Sequence, residues 1–90
     1  MTAQIDFSGV DYAIHEELGE PGPVAEFVMA QARHIAGLSG SVRQDNLWNF
    51  HSVTARELRN AGLHPADSIL LRLERIGAVL SAAIRKANAA

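Results

Sequence analysis

The 90-residue chain contains no cysteine. That removes disulfide stapling, thiolate chemistry and every cysteine-held zinc or iron–sulfur site. Only five residues are aromatic, and two of them, Trp48 and Phe50, fall in one short stretch, NLWNFHS. No apolar run approaches the roughly 20 residues of a membrane span. The opening MTAQIDFSGVDYA has no basic start and no apolar segment of signal-peptide length, because Asp6 and Asp11 interrupt it. The expected compartment is therefore the cytoplasm, without membrane contact.

Patterns that carry chemistry are also missing. His15, His34, His51 and His64 do not form HExxH, the spacing that sets two imidazoles on one helix face around a base. The remaining metal arrangement would combine His15, Glu16 and a distant histidine. GLSGS at 37–41 superficially suggests a nucleophile elbow, but Ser41 stands where that motif needs glycine. The elbow also needs a strand before it and a helix after it in a large α/β sheet. No enzyme activity, cofactor or metal is expected.

What is present is a thin-cored helical chain. At this length folding buries only about 60–65 % of the surface of the unfolded chain, so a partner that adds apolar contact matters. Net charge is −2, unevenly spread. Residues 1–22 carry Asp6, Asp11, Glu16, Glu17 and Glu20 and no Lys or Arg, whereas residues 23–90 carry eight cations against five acids. The chain thus reads as an acidic N-terminal arm with a short helix, 1–22, ahead of a helical bundle domain, 23–90.

In the arm, Ser8 and Asp11 form a weak cap-like pair, Val10, Ile14 and Leu18 follow at helical spacing, and Gly19 ends the segment. EPGP at 20–23 is the clearest break, since proline cannot continue a helix. Pro23 suits the first turn of the next helix, whose apolar set Val24, Phe27, Val28 and Ile35 carries it to about Ala36. Gly37 and Gly40 then bracket a connection, and Ser41 with Gln44 is a capping-box pattern.

Residues 41–61 can be read as one helix or two. Asn46 and Asn49 favour two, with a break near His51 and a second capping box, Thr54 to Glu57, starting a short helix that ends at Gly62. The last helix is expected over 65–88, with Pro65 at its first position, Asp67 in its first turn, and Arg85 and Lys86 near its negative end. The whole is an all-α bundle of three to four helices with an acidic N-terminal arm.

That last helix is the informative one. Ile69, Leu73, Ile76, Leu80, Ala83 and Ala87 repeat at 4, 3, 4, 3, 4, the spacing of a coiled-coil-like seam. Leu70, Gly77 and Ile84 widen the seam on one flank, Leu71, Ala78, Val79 and Ala82 point elsewhere, and no charge occurs from Ile76 to Ile84. A helix apolar all round is covered on several sides. It is either the central helix of the bundle or is covered on one side by another copy or a partner, and both hold in a dimer whose core continues across its interface.

The expected function is a non-catalytic helical protein-interaction module or adaptor, self-associating as a homodimer through 65–88. Its partner-binding residues would be Ile76, Val79, Leu80, Ala82 and Ala83, with Trp48 and Phe50 as candidate anchors. The alternative is a small helical nucleic-acid-binding regulator using Arg56, Arg59, Arg72 and Arg75. TARELRNAGLHPADSILLRLERIG has a helix–turn–helix outline, but Pro65 lengthens the turn and the second helix is too apolar for a major groove.

Overall fold

The computed structural model describes residues 4–19 and 22–89. Its regular elements are five α-helices: α1 (Ser8–Leu18), α2 (Pro23–Ala36), α3 (Gly40–Trp48), α4 (Phe50–Asn60) and α5 (Ile69–Ala89). The all-α expectation holds, but the count is five and not three to four. The acidic segment forms a helix of its own, and the chain between Gly40 and Asn60 divides in two.

The division falls at Asn49, two residues before the predicted break. Asn49 leaves helical geometry (φ −107°, ψ 23°), and its side-chain amide donates to the Asp45 carbonyl at 3.1 Å. A polar side chain that bonds the preceding turn competes with the helical ladder and lets the chain turn. The predicted Thr54 to Glu57 capping box is not used, because Thr54 lies inside α4 and is fully buried. Likewise α3 begins at Gly40 after Ser39, so Ser41 and Gln44 sit within the helix and do not cap it.

α1 starts under a different cap from the predicted one. The Asp6 carboxylate accepts from the Ser8 backbone N–H at 3.0 Å and the Ser8 hydroxyl at 2.6 Å, and these bonds hold its pKa below the ordinary carboxylate value. Asp11 instead receives Arg33 of α2 through two bonds of 2.9 and 3.1 Å, while the same guanidinium lies 4.7 Å from the Phe7 ring centre. Val10 and Ile14 of α1 are fully buried, and the helix packs on α5 and α2. Of the predicted EPGP break, Glu20 and Pro21 lie outside the described residues.

α2 occupies the predicted span, with Pro23 at its start and Val28, Ala32 and Ile35 buried. α4 ends in a Schellman cap: Gly62 takes φ +80°, its N–H reaches the Arg59 carbonyl, and the Leu63 N–H reaches the Leu58 carbonyl. α5 begins at Ile69, four residues later than predicted. Ile69 N–H bonds the Ala66 carbonyl as a tight turn, so Pro65 and Asp67 belong to the approach and not to the helix.

α5 touches each of the other four helices. It buries Ile69, Leu73, Ile76, Gly77, Leu80, Ile84 and Ala87, which is the predicted seam with Ala83 half-buried at its edge; of the residues expected to widen it, Gly77 and Ile84 are buried and Leu70 is exposed. The molecule measures 39 × 25 × 18 Å. Its short dimension fits about two helix layers at a diameter of about 10 Å each. A helix in such a slab has neighbours on one side only.

Candidate interaction surface on the last helix

α4 crosses α5 at Gly77. A Cβ built there would stand 3.1 Å from Phe50 Cβ and 3.2 Å from its Cδ1, so the missing side chain is what lets the Phe50 ring lie on the helix. Phe50 is thereby buried in the chain's own core, as are Ile76 and Leu80. Three of the seven predicted partner-binding residues therefore hold this molecule together. The other four, Trp48, Val79, Ala82 and Ala83, remain wholly or partly accessible.

They divide between two grooves along α5. Val79, Ala82 and Ala83, with Ala87 and Lys86, form one wall of a groove of about 500 Å³ whose other wall is the segment bearing Gln4, Asp6, Ser8 and Gly9. Trp48 belongs to the other side. There α3, the start of α4 and α5 enclose a groove of about 530 Å³ lined by Leu47, Phe50, Gly77, Ala78, Ser81 and Ile84, with Arg43, Glu74 and Arg85 among its polar residues. Trp48, 81 % exposed, is the most exposed large hydrophobic side chain among the described residues.

Trp48 reaches the surface because of the Asn49 break. It is the last residue of α3, and the chain turns immediately, so Leu47 packs against the core while its neighbour does not. Between the grooves, Leu71, Ala78 and Ala82 form an exposed, mostly small apolar ridge on α5, with Leu71 52 % accessible. The charge-free turns are thus covered on one side only.

The four arginines of the nucleic-acid alternative divide between α4 and α5. Arg72 donates to the Glu17 backbone carbonyl at the end of α1 and to the Ser68 hydroxyl at 3.0 Å. Arg75 pairs with the Glu17 carboxylate at 3.2 Å. These two tie α1 to α5, and Arg72 satisfies a carbonyl that the helix end leaves free. Arg56 and Arg59 lie exposed on α4, with Arg56 3.8 Å from Glu57.

His15, His34 and His64 are exposed and His51 is half-buried. Among the described residues, no group of three His, Asp or Glu side chains is placed to hold a metal ion. No helix among them is long and apolar enough to cross a membrane. The exposure of Trp48 escaped sequence reasoning in part: a break was legible in the asparagines, but its register was not. Comparison with known proteins finds no family model, no curated protein and no solved structure that matches this chain.

Proposed function

We propose that the chain is a non-catalytic helical interaction module that self-associates through α5, using the groove between α3 and α5 as its docking surface. The observation that carries this reading is Trp48, largely exposed on the rim of a groove whose α5 wall includes the small residues Gly77, Ala78 and Ser81 between polar side chains. Tryptophan in such a position is the residue type most enriched among interface hot spots, because a partner that covers it removes a large apolar area from water. The one-sided burial of α5 supports the same conclusion, since Ala78, Ala82 and Leu71 are left for another chain to cover.

Nucleic acid is the less favoured partner, because two of the four candidate arginines are engaged by Glu17. A cytoplasmic adaptor built on this surface fits the cysteine-free chain. Absolute molar mass by light scattering, measured over two decades of concentration, tests the proposal. Dimer formation is expected for the natural chain, with Trp48 fluorescence shifting to the blue as concentration rises. Trp48→Ala and Ala78→Arg should each shift the protein toward monomer with helicity unchanged. A natural chain that stays monomeric throughout defeats self-association.

A further inference from the structure

We infer that the occupant of the groove is α5 of a second copy, running antiparallel about a twofold axis that passes between Val79 and Leu80. This rests on the self-association reading above and adds orientation and charge pairing to it. Besides the buried Gly77 and Ile84, α5 presents Glu74, Ala78, Ser81, Arg85 and Asn88 to the groove, and the exposed Leu71 of the adjoining ridge continues the row. Their spacing is 3, 4, 3, 4, 3, so the helix carries a second seam beside the one that faces its own core. At about 100° per residue the six fall within about 100° of the circumference.

The second seam is its own complement when reversed. A twofold axis at that point sets Glu74 against Arg85, Ala78 against Ser81 and Leu71 against Asn88 of the other copy. The central positions are small, which allows two helices to approach closely, and the charges flank them on either side. A parallel alignment in register would instead place Glu74 on Glu74 and Arg85 on Arg85, and like charges at close quarters disfavour it. Among the described residues, neither Glu74 nor Arg85 has a hydrogen-bond or ion-pair partner within its own chain. Both are exposed.

The rest of the groove agrees with this arrangement. Phe50 lies on Gly77, so that turn of α5 is covered by the chain's own core, and α3 borders α5 on the same groove. An isologous contact of this kind closes on itself and gives a dimer, not a filament.

A charge-exchange series tests the inference by sedimentation equilibrium, with circular dichroism to check the fold. Glu74→Arg alone and Arg85→Glu alone each create two like-charge contacts in the antiparallel dimer, and each should weaken self-association about tenfold or more. The double variant restores opposite pairs and should recover the natural affinity. An equimolar mixture of the two single variants should form a heterodimer as tight as the natural dimer. If the natural chain dimerises and the single variants dimerise equally well, the antiparallel pairing is wrong while self-association stands. A natural chain that is monomeric at every concentration overturns both.

Discussion

Thr54 lies fully buried in α4, and its hydroxyl has no hydrogen-bond partner among the described residues. A buried polar group without a partner costs about 1–3 kcal/mol. Thr54→Val, which keeps the branched shape and removes the hydroxyl, should raise stability by about 1 kcal/mol in urea unfolding. In the sequence, Thr54 and Glu57 resemble a helix start, because threonine three residues before glutamate looks the same at a cap and in a helix interior. Only the position of the Asn49 break sets their register. Gly77 shows a related ambiguity. Its absence of a side chain suits close approach by any helix, and the structure assigns it to Phe50. Gly77→Ala gains about 1 kcal/mol of helix propensity but drives a methyl into the ring at a cost of about 1–3 kcal/mol. A lower melting temperature is expected, measured by calorimetry.

Among the elements, α1 behaves least as its composition suggests. Its acids give the segment the look of an appendage, yet Val10 and Ile14 bury it against α5 and α2. Burying two branched side chains contributes about 3–6 kcal/mol, a large share of the stability of a domain this small. A chain starting at residue 22 should therefore lose its cooperative thermal transition, followed by circular dichroism. The Asp6 cap adds a pH dependence. Its folded pKa lies below the ordinary carboxylate value because Ser8 donates to it, so its contribution is present above the unfolded-state pKa and is lost as the pH falls through the folded one and the carboxyl protonates. Asp6→Asn should flatten the acid limb of helicity below about pH 4, the ordinary aspartate range. At the end of α4, Gly62 holds φ +80°, where alanine costs about 1 kcal/mol. Gly62→Ala should lower the urea midpoint accordingly.

At the scale of the whole molecule, the radius of gyration is 12.5 Å, against about 12 Å expected for a folded chain of this length. The exposure of Trp48 and Leu71 is therefore a property of a packed monomer and not of a loose one. A slab 18 Å thick cannot surround its longest helix, which is why α5 touches every other helix and still presents an apolar ridge. If dimerisation covers that ridge, the melting temperature should rise with protein concentration by mass action. Ala78→Arg should melt at a temperature independent of concentration, as read by calorimetry at two dilutions.

The helical class, the span of α2, the stops at Gly19 and Gly62 and the core seam of α5 were determined by the sequence itself. Each follows from local chemistry: proline without an N–H, glycine at positive φ, and apolar residues at a helical period. Tertiary structure alone decided that Phe50 faces inward, that the seam residues Ile76 and Leu80 meet the chain's own helices and not another copy, that Trp48 faces out, and that α5 is covered on one side. Those outcomes depend on which helices arrive beside α5 and in what register. A periodic pattern specifies the face that prefers burial, but not how many neighbours a two-layer molecule can place around it.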